Sequence, residues 1–149
     1  MINNHEQSIF QAYLNCLANK PSQKVALDEA FMFNNEAHTI FTLIAKYHND
    51  LKSSKSTIKP GERIQWLISK GCQAINWTDE RGWGVLVHAI KANDIQLFNC
   101  LIKLRGIDMN RLDSDGKNLV HHVVSPIEFG CYENCQFLKL LNMNGVNLN

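Results

Sequence analysis

The feature that most constrains this chain is an internal period. The stretch from Asp79 reads DERGWGVLVHAIKANDIQLFNCLIKLRGIDMN, and the stretch from Asp113 reads DSDGKNLVHHVVSPIEFGCYENCQFLKLLNMNGVNLN. Each opens on an acidic turn, a Gly and a short apolar helix. Each closes on a second helix, a Gly, and a string of apolar residue, Asp or Asn, apolar residue and Asn. The closing strings are Gly106-Ile107-Asp108-Met109-Asn110 and Gly145-Val146-Asn147-Leu148-Asn149. A third, more degenerate copy lies upstream. NNEAHTIFTLIAKYHN (34–49) matches the first helix, with Ala37 in the place of the glycine, and ERIQWLISKGCQAIN (62–76) matches the second helix and closing string. Between them NDLKSSKSTIKPG, ending on Pro60-Gly61, reads as an exposed loop. Such a period specifies supersecondary units stacked side by side.

The apolar residues agree. Val85, Leu86, Ala89 and Ile90 recur at helical spacing. So do Ile95, Phe98, Leu101 and Ile102 on the next helix, and Phe137, Leu138, Leu140 and Leu141 on its counterpart. One helix pair cannot bury such a face, whereas stacked neighbours can. Gly82, Gly106, Gly116 and Gly145 fall at turns that call for positive φ. Residues 5–33 lack the repeat. Ile9, Phe10, Tyr13, Leu14 and Leu17 form a first apolar stripe, Asn19-Lys20-Pro21-Ser22 breaks it, and Val25, Ala26, Ala30, Phe31 and Phe33 suggest a second helix. The expectation is an N-terminal helical hairpin capping the array. Trp66 is expected in the core. No capping helix follows Asn149, so Leu138, Leu141 and Leu148 are expected to be partly exposed at that edge.

This pattern resembles the ankyrin repeat, whose motif runs Asp-x-x-Gly-x-Thr-Pro-Leu-His-x-Ala, then a second helix, then Gly-Ala-Asp-Val-Asn. The resemblance maps onto Asp113, Gly116, Asn118, Leu119, Val120 and His121, and onto Asp79, Gly82, Gly84, Val85, Leu86, Val87 and Ala89, with the Thr-Pro pair lost in every copy. It implies an all-α fold: an ankyrin-repeat solenoid of stacked helix-turn-helix pairs behind the N-terminal cap. The cap would take 1–33, and a degenerate repeat 34–76, with its inter-helix loop at 49–61. Two further repeats would take 77–110 and 111–149, the last with an inter-helix insertion at 125–134. At the position of the family's structural histidine, His121 is implied to hydrogen-bond loop backbone. The Gly-x-Tyr-Glu-Asn run at 130–134 also resembles ankyrin arrays of poly(ADP-ribose) polymerase-type proteins.

Composition excludes several classes. Fifteen Lys and Arg against fourteen Asp and Glu leave a formal net charge of +1, which argues against a nucleic-acid binder. Lys46, Lys52, Lys55 and Lys59 around the polar loop read as solvated surface, since no aromatic residues are interleaved. No apolar run is long enough for a membrane span, and MINNHEQSIF does not read as a secretory signal. Five irregularly spaced cysteines fit buried free thiols in a reducing, intracellular setting, cytoplasm or nucleus. Cys100 and Cys135 are expected on the buried stripe of the second helices. His121, His122, Cys131 and Cys135 are poorly spaced for zinc, because consecutive helical residues point about 100° apart. A Cys–His nucleophile pair built from the same residues has no third orienting residue. No phosphate loop or catalytic motif is present, so neither enzyme activity nor a cofactor is expected.

The expected function is binding another protein. Trp77 and Trp83 bracket the turn that carries Glu80 and Arg81, and Trp and Arg are the residues most enriched at binding hot spots. The resemblance puts these positions on projecting hairpins and the concave helix face. Asp115 and Lys117 occupy the next turn. Phe129 and Tyr132 sit in the insertion, where aromatic loop residues suggest recognition. The partner-binding set is therefore Arg81, Trp83, Glu80, Trp77, Asp115, Lys117, Phe129 and Tyr132. The alternative is a targeting or regulatory segment of a larger enzyme or effector, ADP-ribosyltransferase-associated, acting in cis or as an inhibitor through contact or continuation at the C-terminal edge.

Overall fold

The computed structural model describes residues 28–33, 35–52, 60–69, 71–124 and 131–148. Six α-helices occupy most of them: α1 (Ile40–Lys52), α2 (Pro60–Ser69), α3 (Val85–Lys91), α4 (Ile95–Leu101), α5 (Leu119–Val124) and α6 (Cys131–Met143). A 3-10 turn covers Ala74–Asn76. The helix starts follow from local chemistry. Asp94 caps α4 by accepting the Leu97 N–H at 3.1 Å. Asn118 caps α5 by accepting the His121 N–H at 3.0 Å. The glycines expected at left-handed turns, Gly82, Gly106, Gly116 and Gly145, all have positive φ.

The helices pack in two rows. In one, α3 lies between α1 and α5; in the other, α4 lies between α2 and α6. The pairs α3–α4 and α5–α6 join the rows. Phe41 and Ile44 of α1, Leu67 of α2, Ala89 of α3, Phe98 and Leu101 of α4, and Phe137 and Leu141 of α6 are fully buried. Phe98 and Phe137 meet edge to face with centroids 5.1 Å apart. The closing Asn76 ties one copy to the next. Its side chain accepts the Asp108 N–H (2.8 Å) and donates to the Gly106 carbonyl (2.7 Å), while the Arg111 guanidinium donates to the Asn76 backbone carbonyl (2.6 Å).

Several details depart from the sequence reading. α1 runs on to Lys52 and α2 starts at Pro60, both within the loop expected at 49–61, and α6 starts at Cys131, within the insertion expected at 125–134. Phe31–Phe33 is a strand, not the end of a helix, and pairs antiparallel with Glu36–His38 in the register Phe31↔His38, Met32↔Ala37, Phe33↔Glu36. These are β1 and β2. Asn35, at φ 63°, takes the left-handed corner that glycine takes in the later copies, and Ala37 sits within β2. Asparagine adopts this conformation more readily than other residues bearing a side chain. The rest of the expected cap, residues 1–27, lies outside the described residues. At the C-terminal edge Leu141 is fully buried rather than exposed, because the Gly145 turn brings Val146 back onto α6, where its N–H donates to the Leu141 carbonyl at 3.0 Å. Leu138 is half-buried and Leu148 exposed, while Trp66 packs half-buried against the core. Cys135 is exposed and Cys100 half-buried. Cys135 stands two residues before buried Phe137, about 200° around the helix, and so on its opposite face. No helix among the described residues is long and apolar enough to cross a membrane.

Candidate partner-binding site

Two projecting tips have the same internal wiring. Asp79 Oδ1 accepts the N–H groups of Arg81 and Trp83, both at 3.0 Å, and the Asp79 carbonyl accepts the Gly82 N–H at 2.9 Å. One copy later, Asp113 Oδ1 accepts the N–H groups of Asp115 and Lys117, both at 2.9 Å, and the Asp113 carbonyl accepts the Gly116 N–H at 3.0 Å. Aspartate suits this place because one short carboxylate can satisfy two turn N–H groups at once. The tips then stack. The Ser114 N–H and hydroxyl both donate to the Arg81 carbonyl at 2.9 Å. A Cβ on Gly82 would lie 2.8 Å from Asp113 Cα, so this glycine is needed for close approach as well as for its φ of 76°.

The second carboxylate oxygen faces a histidine nine residues on. Asp113 Oδ2 lies 2.7 Å from His122 Nε2. Burial opposes ionisation of Asp113, yet the Lys117 N–H, His122 and the Asp115 N–H outweigh it and hold the carboxyl below its usual range. In the middle copy the equivalent distance, Asp79 Oδ2 to His88 Nε2, opens to 3.6 Å. The Arg81 guanidinium has taken that oxygen, at 2.7 Å from Nη2 and 3.2 Å from Nε. His88 Nε2 is consequently left without a hydrogen bond among the described residues, and burial drives its pKa down to about 4. His38, His88 and His122 are all buried. With Tyr47 and Trp83 they form a file of rings across α1, α3 and α5: Tyr47 to His38 6.4 Å, His38 to His88 5.3 Å, His88 to Trp83 6.1 Å and Trp83 to His122 5.5 Å.

Charged groups crowd the outer side of this file. The Arg81 guanidinium carbon stands over the Trp83 ring, 4.0 Å from its centroid, and the Lys91 ammonium stands 5.5 Å from the same centroid. Glu36 of β2 binds Lys46 of α1, lies 3.3 Å from His38 Nε2 and is 3.8 Å from Arg81. Burial works against the Glu36 charge, but Lys46, Arg81 and His38 together keep its carboxyl below the usual range. Against known proteins, the chain matches no family model, no curated protein and no solved structure.

The expected binding residues fall into three groups. Arg81 and Trp83 come together as a half-exposed stack, with Glu80 exposed beside them and Trp77 half-buried in the strand of chain leading to the tip. Asp115 and Lys117 are exposed on the neighbouring tip, 3.9 Å apart. Phe129 lies outside the described residues, and of Tyr132 only the backbone, in the first turn of α6, is described. His121 is exposed at the start of α5, with Nδ1 3.2 Å from the Asn118 backbone nitrogen and 2.7 Å from Asn118 Oδ1. The sequence reading missed His88 and weighed His122 only for zinc or a Cys–His pair, although Asp-x-x-Gly followed six residues later by His occurs in both strong copies. It also missed Lys46 and Lys91 as members of this site. Among the described residues no group of three or more His, Cys, Asp and Glu is placed to hold a metal ion. Cys72, buried and donating to Asp28 at 3.2 Å, has its thiol pushed up to about 12 by burial and by that carboxylate, and so stays protonated.

Proposed function

We propose that this chain is an ankyrin-type solenoid acting as a non-catalytic protein-interaction module, with its binding surface on the stacked tips and the concave face of the first helices. The observation that carries the reading is the Arg81–Trp83 stack. It stands half-exposed on a tip whose backbone Asp79 and Gly82 fix from within. A pre-ordered Arg and Trp spend little conformational entropy on binding, and such residues dominate interface energetics. The two helix rows, the repeated Asp–Gly–His wiring and the Asn76 tie to the next copy support the solenoid. Glu80, Asp115 and Lys117 flank the stack and would set partner choice more than affinity. Three repeats present enough surface for an interface of about 800 Å² per partner. The alternative, a regulatory segment docking through its C-terminal edge, rested partly on an exposed Leu141, which is buried.

The test is affinity purification with mass spectrometry on the wild type and the Arg81→Ala/Trp83→Ala variant side by side, with folding checked by circular dichroism. A partner held by the wild type and lost by the folded variant supports the reading. Retention of every captured protein by the folded variant overturns it. Should the double variant unfold, Arg81→Glu, which leaves Trp83 in place, answers the same question.

A further inference from the structure

Between α1, α3 and the middle tip lies a hollow of about 200 Å³ lined by Lys46, Tyr47, Arg81, Trp83, His88, Lys91 and Ala92. Three of its walls are cationic, and none of the described lining residues is acidic. The acids that neutralise this region lie elsewhere: Glu36, Asp79 and Glu80 line a second hollow, on which Arg81 also borders. Arg81 is thus a divide, basic on one side and acidic on the other. Its guanidinium is anchored to Asp79 and reaches toward Glu36, and the Lys46 ammonium is anchored to Glu36, so both cations are held in place before anything binds. Against Lys46, Arg81 and Lys91 stand Glu36, Asp79 and Glu80, so the charges balance and the two hollows divide them by sign. The floor is His88, 2% exposed, with a ring nitrogen that no described group satisfies. Trp83 and Tyr47 add ring surface on which methylene groups can lie.

We propose that this hollow receives a glutamate or aspartate side chain from an acidic segment of the partner protein, its carboxylate set among Lys46, Arg81 and Lys91 and its aliphatic stem against Trp83 and Tyr47. The proposal rests on the interaction reading above and gives that surface its chemistry. With Glu36, Asp79 and Glu80 close to the three cations, the region suits a monoanionic carboxylate better than a phosphoryl group, which carries nearly two negative charges at neutral pH. The donors are side chains on two helices and a tip, with no row of backbone N–H groups of the kind that cradles phosphate. The ring walls favour a side chain with a hydrocarbon stem over a bare inorganic anion.

Three probes test it by fluorescence anisotropy and by competition: a labelled, end-capped peptide alternating glutamate and serine, its glutamine counterpart, and inorganic phosphate. The glutamate peptide is expected to bind saturably, weaken as salt rises, and bind better than the glutamine peptide. Lys91→Gln leaves the Asp79 and Glu36 anchors untouched and is expected to weaken binding about threefold to fivefold, the range of a half-exposed ion pair. Adding Lys46→Gln should bring the loss to about tenfold or more. Equal binding of the two peptides, no binding of either, wild-type affinity in the folded Lys46→Gln/Lys91→Gln variant, or displacement of the glutamate peptide by phosphate at concentrations below the peptide's own Kd would each overturn the proposal. The outcomes also separate it from the broader reading. If the partner captured by the wild type is lost with Arg81→Ala/Trp83→Ala but kept by the lysine variant, the surface stands and only the carboxylate assignment falls.

Discussion

Two glycines with nearly the same backbone conformation carry different burdens. Gly82 and Gly116 occupy equivalent tip positions at φ 76° and 74°, but a Cβ on Gly82 meets the Asp113 and Ser114 backbone while one on Gly116 meets nothing within 4 Å. Both substitutions to alanine cost the left-handed penalty of about 1–2 kcal/mol. Only Gly82→Ala must also push the tips apart and strain the two bonds from Ser114 to the Arg81 carbonyl. Urea denaturation should therefore show Gly116→Ala losing about 1 kcal/mol and Gly82→Ala losing about 3 kcal/mol or more. Equal losses would mean that the tips do not press on one another in solution. Both glycines are legible in the sequence as turn residues. The difference between them is not, because what meets a Cβ at Gly82 belongs to a segment some thirty residues away. The same distance hides the corner in the first copy: the Asn34-Asn35 pair is a turn signal, but the apolar Phe31-Met32-Phe33 before it reads equally as helix.

At the scale of elements, β2, α3 and α5 each carry a buried imidazole of one ring file, which makes their packing sensitive to acid. His38, His88 and His122 all titrate below their ordinary value, burial being the main cause in each. The sign follows from linkage. Where the folded pKa is depressed, the unfolded chain takes up a proton near pH 6.5 that the folded chain refuses, so stability is full above about pH 6.5 and drains away as pH falls. For His88 the window runs from about 6.5 down to about 4, with a slope of about 1.4 kcal/mol per pH unit and a total near 3 kcal/mol. Asp113 and Glu36, whose carboxyls are held low, extend the loss below that window. Urea midpoints measured between pH 7.5 and 4.5 should fall steeply in the wild type, and less steeply by that slope in His88→Gln, whatever its absolute stability. Parallel curves would show that His88 is not held neutral. The helices themselves are legible: the stripes of α3 and α4 are buried as spaced. Their chemistry is less so. The nine-residue step from Asp79 to His88 and from Asp113 to His122 is local enough to read, but the motif resemblance draws the eye to His121. Lys46 and Lys91 sit on different helices that only packing brings together, and Lys46 alone looks like one more lysine near a polar loop.

For the whole molecule, the question is whether two rows of helices behave as an array or as one core. In an array each unit is held mainly by its neighbours, so damage at an end stays near that end and damage in the middle spreads. Phe137 of α6 and Leu97 of α4 are both fully buried, and both lose a large side chain on mutation to alanine, at a cost of about 3–5 and 2–5 kcal/mol respectively. Their places differ: α4 touches α2, α3 and α6, whereas α6 touches only α4 and α5 among the closer helix contacts. The solenoid proposed above predicts a spatial pattern in native-state hydrogen exchange. Phe137→Ala should speed exchange through α5 and α6 and leave α1 and α3 protected close to wild type. Leu97→Ala should speed it along the whole series from α1 to α6, because the middle unit supports both sides. If Phe137→Ala instead lowers protection in α1 as much as in α6, the helices share one cooperative core. The repeat would then be a feature of the sequence and the wiring, without being the unit of stability.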